Sequence, residues 1–283
     1  MALDKVIPEL WSARLLRGFD QQNVYGGLVT DVSSEITDGD TIHYGKLTST
    51  VTVGDYTRYS DIPAAQEPAD DEEILEMDQQ KVFNINVDDL DRVQSRPAML
   101  DEFARKAGVA VSNLVNSYMR GIITADISDA NTVETAAAVT AAASRKEFID
   151  KVFDVKEAMD KVFIPKDGRW MVIGVGLESQ LLRHLVDEGI GSGAIDDATF
   201  RSGELSNFLG LNVVVDPTLA DAESAGDAQA YFGINQMTYF ARQVAKVEPY
   251  RPEKRFADAI KGLYLYGAKK VDTVPAYRIT RKA

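Results

Sequence analysis

A chain of 283 residues with 45% hydrophobic content holds enough apolar material for one large or two ordinary globular domains, which excludes a disordered polymer. It contains no cysteine, so disulfides, thiolate catalysis and cysteine-ligated metal are all removed. A formal charge of −13 would repel phosphate backbones, which argues against a protein whose main task is gripping nucleic acid.

The opening "MALDKVIPELWSARLL" mixes acidic with apolar residues and has no small-residue cleavage site, so it does not read as a signal peptide. No apolar run approaches the ~20 residues of a membrane span. A soluble, cytosolic chain is expected. Leu10, Trp11, Leu15, Leu16 and Phe19 fall near helical spacing after Pro8, which predicts a short amphipathic helix over 8–24, broken by Gly26 and Gly27.

"GDTIHYGKLTSTVTVGDY" then alternates as one long strand or two short ones. "RYSDIPAAQEPADDEE" combines two prolines with an acidic run and reads as an exposed loop tip. "EILEMDQQKVFNINVDD" alternates again, with Val82, Ile85 and Val87 among polar neighbours. The two stretches make either a long projecting hairpin, marginal in water unless it lies on something, or two strands of an ordinary sheet.

After Pro97 the apolar residues Met99, Leu100, Phe103, Ala107, Val111, Leu114, Val115, Tyr118 and Ile122 recur at three- and four-residue steps, which predicts a long helix. Gly108 and Gly121 would weaken it locally. Residues 128–144 read as a surface connection or an alanine-rich helix. Ser144 followed by Glu147 predicts a capping-box start to a helix ended by Pro165 and Gly168. "RWMVIGVG" reads as a buried strand, "LESQLLRHLVDEG" as a helix, "GSGAIDDATFRSGE" as a loop and "LGLNVVVDPTL" as a strand. Residues 145–245 thus form an α/β unit.

Candidate chemistry is sparse. Gly174 and Gly176 stand between a strand and a helix, as in a dinucleotide-binding turn, but Ser179 replaces the third glycine and Asp196 and Asp197 sit in a glycine-rich loop. His43 and His184 lack the carboxylate pattern of a metal site or triad. Asp70, Asp71, Glu72 and Glu73 could gather a hard cation but lack the spaced ligands of a calcium loop. No glycine-flanked nucleophile appears. No catalytic residue, cofactor or metal is expected.

Charge is segregated instead. Residues 55–102 carry fourteen acidic against four basic side chains, and residues 251–283 nine basic against three acidic. Such blocks suit either solvated faces or a contact between copies.

The order of parts resembles the major capsid proteins of tailed bacteriophages, with the Hong Kong 97-like fold. The likeness is carried by "IPELWSARLLRGFDQQNVYGGLV", by the run from "TIHYGKLTSTVTVGDY" to "KVFNINVDDLD", and by "YFGINQMTYFARQVAKVEPYRPEKRFADAIKGLYLYGAKKV". The resemblance implies an α+β fold with an N-terminal arm (1–40), an extended β-hairpin loop (41–90), a peripheral domain with a long spine helix (91–145 and 246–283) and an axial domain (146–245). It implies a non-enzymatic structural protein of the virion capsid that self-assembles in the host cytoplasm into an icosahedral shell of pentamers and hexamers around double-stranded DNA, without sequence-specific binding and without a membrane. A portal protein and a separate scaffolding protein are expected partners, since no segment precedes the arm. Contact between Asp70, Asp71, Glu72 and Glu73 of one subunit and Arg251, Lys254 and Arg255 of the next is expected. No lysine stands between Leu47 and Gln80, which argues against lysine cross-linking by the loop. Two other readings are an encapsulin-like nanocompartment shell and a nucleotide-dependent α/β enzyme built on the middle region.

Overall fold

The computed structural model describes residues 24–36, 39–47, 53, 55, 58, 70–88, 99–125, 127–136, 139, 142–187, 205–219, 228–254, 256–270 and 275–282. The helix expected over 8–24 lies outside them. In chain order the elements are β1 (Thr30–Asp31), β2 (Thr41–Leu47), β3 (Asp70–Glu76), β4 (Gln79–Asp88), α1 (Met99–Thr124), β5 (Thr132–Thr135), α2 (Ala142–Lys161), β6 (Arg169–Ile173), α3 (Val175–Asp187), β7 (Asn207–Phe208), β8 (Leu211–Val215), β9 (Ala228–Ile234), β10 (Thr238–Tyr250), β11 (Ala257–Lys270) and β12 (Tyr277–Arg281).

The strands form a four-stranded sheet of order β1-β10-β11-β4, a six-stranded sheet of order β5-β12-β9-β6-β8-β7, and the isolated pair β2-β3. Helix α1 runs for 26 residues, about 39 Å at ~1.5 Å per residue. Its buried side chains Ala107, Val115, Met119 and Ile123 repeat at helical spacing, which is why the sequence predicts it. Strand β6, buried at all five positions, sits inside the six-stranded sheet between β9 and β8.

One large core joins the helices to both sheets, from Met119 and Phe148 to Trp170, Phe232 and Tyr266. A smaller core of Val32, Leu75, Met77 and Ala241 lies on the other face of the four-stranded sheet. Alternation in β10 divides the two: Phe240 joins the large core, while Ala241 joins the small one.

Three expectations need correction. Strand β4 does not pair with β2. It pairs with β11, from Gln79 opposite Tyr266 to Asp88 opposite Ala257, because its alternating side chains match the long buried strand. Strand β12 leaves the four-stranded sheet and enters the six-stranded one between β5 and β9, so 246–283 is not confined to a single sheet; conversely β10, from Thr238, belongs with β11. The capping box is absent: α2 starts at Ala142, and the Glu147 carboxylate accepts the Ala136 N–H at 2.7 Å instead.

Candidate assembly surfaces

The stretch "FADAIKGLYLYGAKK" is the central strand β11, and its two inner glycines explain its composition. An added Cβ at Gly262 would meet the Phe83 ring at 2.2 Å. One at Gly267 would meet the Glu76 carbonyl oxygen at 2.2 Å and the Met77 Cα at 2.9 Å. Gly267 therefore lets the β3–β4 corner cross directly over the sheet.

That crossing seats the β2-β3 hairpin. Leu75 and Met77 are buried against Val32 and Ala241, and the Met77 N–H donates to the Asp40 carbonyl at 2.9 Å. The rings of Tyr44 and Tyr239 lie 4.9 Å apart. On the other side of the corner, the Tyr118 hydroxyl of α1 donates to Asp78 at 3.1 Å. The hairpin is held at its base, and beyond the base β2 and β3 pair only with each other among the described residues.

The acidic tract Asp70–Glu73 is part of β3 rather than a loop tip: Asp70 pairs with Leu47 and Glu73 with Tyr44. The two described side chains are engaged within the chain. Glu72 lies 2.6 Å from His43 Nδ1, and Glu73 lies 3.7 Å from Lys269 Nζ. The His43–Glu72 contact is exposed and the Lys269–Glu73 contact partly so, and surface pairs of this kind contribute about 0–1 kcal/mol.

The basic set lies elsewhere. Arg251 and Lys254 are exposed in the turn that joins β10 to β11, and Arg255 lies outside the described residues. Lys269, which holds Glu73, is ten residues along β11 from Ala259 beside that turn, or about 33 Å at ~3.3 Å per residue. Within one chain, Glu72 and Glu73 lie against His43 and Lys269.

A third feature escaped the sequence reading. The Tyr25 hydroxyl donates to Asp216 Oδ2 at 2.6 Å, and both residues are buried. The Thr218 N–H and hydroxyl donate to Asp216 Oδ1 at 2.8 and 2.7 Å. Arg120 of α1 lies 3.6 Å from the same carboxylate and donates to the Thr218 carbonyl at 3.2 Å. Burial, then the hydrogen bond to Asp216, holds the Tyr25 phenol well above the ordinary tyrosine value. One carboxylate at the end of β8 thus ties together the N-terminal segment, the long helix and the six-stranded sheet. Asp following the apolar run Val213–Val215 is the only sequence signal.

The other candidates resolve into structure. Gly174 accepts the Glu178 N–H at the start of α3, and the Ser179 hydroxyl bonds back to the Val175 carbonyl at 3.2 Å. Asp196 and Asp197 lie outside the described residues. His184 is buried in α3. Among the described residues no cluster of His, Asp and Glu could hold a metal, and no helix is long and apolar enough to cross a membrane.

Among the described residues the subunit thus combines a two-stranded hairpin with no third strand, a glycine-bounded sheet and a long helix. The family model for phage capsid protein matches residues 72–279, and the chain belongs to that family. It is a major capsid protein, and its copies form a multi-subunit shell. Solved structures share the fold. A Mycobacterium phage Che8 chain is 22% identical with a TM-score of 0.69, covering 91% of this chain and 90% of that one. The cyanophage P-SCSP1u capsid chain is 12% identical with a TM-score of 0.72, covering 92% and 88%. The bacteriophage PhiM1 mature capsid chain is 16% identical with a TM-score of 0.69, covering 91% and 86%. No curated protein sequence matches this chain. At these identities the structural likeness speaks for the α+β capsid fold expected from the sequence.

Proposed function

We propose that copies of this chain close into an icosahedral shell of pentamers and hexamers that encloses double-stranded DNA. The observation that carries the reading is the β2-β3 hairpin, a two-stranded ribbon seated at its base and lacking a third strand among the described residues. Such a ribbon is marginal in water and gains most by lying on a neighbour. The region 41–76 then serves as the extended loop, α1 as the spine helix, the four-stranded sheet as the peripheral domain and the six-stranded sheet as the axial domain.

Asp70, Asp71, Glu72 and Glu73 of one subunit face Arg251, Lys254 and Arg255 of the next in this reading, which is supported by the position of Glu73 at Lys269, about 33 Å along β11 from Ala259 at ~3.3 Å per residue. The net charge of −13 suits a wall that lets DNA pack and leave without sequence-specific grip. The protein works without catalysis or cofactor, assembles in the host cytoplasm, and takes a portal protein and a separate scaffolding protein as partners. Sedimentation velocity of the expressed full-length chain tests the reading. Particles hundreds of times the subunit mass of 31.1 kDa are expected; a protein that sediments as a monomer under every condition overturns it.

A further inference from the structure

Helix α2 ends in a Schellman cap: the Phe163 N–H donates to the Asp160 carbonyl and the Ile164 N–H to the Met159 carbonyl, both at 3.1 Å. Met159 and Ile164 are both buried, the apolar pair that accompanies this cap. The residue at its left-handed position is normally glycine. Here it is Phe163, at φ 60°, a conformation that costs free energy for any residue with a Cβ.

Packing does not offset that cost. Leu209, the other described non-glycine residue at positive φ, packs against the large core. Phe163 is 92% exposed, and its neighbour Val162 is 53% exposed. The turn is nonetheless held rigidly. Buried Arg169 donates to the Pro165 carbonyl at 2.8 Å and to Asp160 at 2.6 Å, and its guanidinium also donates to the Ile164 carbonyl at 2.5 Å. The Gly168 carbonyl accepts the Asn235 N–H at 3.2 Å, which fastens the far end of the turn to the start of the β9–β10 connection. An aromatic ring in a strained, pre-ordered turn has the form of an interface anchor, which loses little freedom when it is buried.

We infer that Phe163 is an intersubunit anchor, buried by a second copy of this chain in the assembled shell. The inference rests on the shell reading, because a shell surrounds each subunit with copies of itself. A single projecting knob received by a different surface of the next copy makes a head-to-tail contact, the type that closes rings. Glycine or asparagine at 163 would suit the backbone better than phenylalanine, so the turn itself gives no reason for a ring at this position.

The test exploits opposite signs. Phe163→Asn tolerates the left-handed conformation, so the isolated subunit is expected to melt at an unchanged or higher temperature. Tagged F163N chains are co-expressed with untagged wild-type chains, and their share in purified particles is compared with their share in the cell. At least a fivefold depletion from particles is expected, with a tagged Phe163→Trp control incorporated at near wild-type level. Incorporation of F163N in proportion to its expression overturns the inference, as does depletion accompanied by a lowered melting temperature. If the wild-type chain itself forms no particles, it is the shell reading that fails.

Discussion

Tyr25 and Asp216 are 191 positions apart in sequence and share a 2.6 Å hydrogen bond inside the core. The bond fixes the N-terminal segment on the end of β8 where Arg120 of the long helix also arrives, so three parts of the subunit meet at one carboxylate. Removing the hydroxyl with Tyr25→Phe keeps the ring but deprives a buried charge of one donor. A loss of ~1.5–3 kcal/mol is expected in urea unfolding of the subunit. A variant as stable as wild type would show that the bond contributes nothing.

The tyrosines give the fold an alkaline limit. Burial pushes Tyr44 and Tyr118 up to about 12 from 10.0, and burial raises Tyr25, Tyr264, Tyr266 and Tyr277 as well. Protonated phenols of this kind contribute stability that is fully present below pH 10 and is lost as the pH rises through the folded values. Absorbance at 295 nm is expected to show fewer ionised tyrosines at pH 11 in the folded chain than in guanidinium. Coincident titration curves would contradict this.

The two glycines of β11 differ in what surrounds them, and the difference is measurable. Gly267→Ala drives a Cβ into backbone at Glu76 and Met77, whereas Gly262→Ala meets the end of the Phe83 side chain, which can rotate. Overpacking costs of ~1–3 kcal/mol are expected at Gly267, with a smaller cost at Gly262. Equal melting temperatures for the two variants would count against the seating of the hairpin on Gly267.

Much of this was legible in the sequence, for a physical reason. A 26-residue apolar stripe and an all-apolar "MVI" run report their own geometry, so α1 and β6 emerge from local periodicity. Alternation in "KVFNINVD" marks a strand but carries no address. β4's partner is β11, far away in sequence, and nothing local excluded β2. The same holds for β12 and for the Tyr25–Asp216–Arg120 meeting point. At the end of α2, Pro165 and Gly168 rightly announced a stop, but the left-handed residue is Phe163, which no residue preference would select.

Charge reversal separates a contact between copies from two solvated faces. Altering the acidic side at Asp70 and Asp71 leaves the Glu72–His43 and Glu73–Lys269 contacts in place. Arg251→Glu, Lys254→Glu and Arg255→Glu together are expected to impair assembly, and adding Asp70→Lys and Asp71→Lys to restore part of it. Both variants must be folded by circular dichroism. A combined variant that assembles no better than the first contradicts the pairing.

Covalent reinforcement of the shell is not expected. The chain has no cysteine, so disulfides have no reactants, and no lysine stands between Leu47 and Gln80, so the outer part of the loop offers none for a lysine bond. Particles boiled in detergent should run as a single band at the subunit mass. A ladder of multimers would contradict this.

Electron cryomicroscopy of particles assembled from the full-length chain tests the central claim most directly. Closed icosahedral shells are expected, with subunits in fives and sixes and each β2-β3 hairpin resting on a neighbour's four-stranded sheet. Subunits that stay single, with that hairpin packed along its length on their own sheet, would contradict the account.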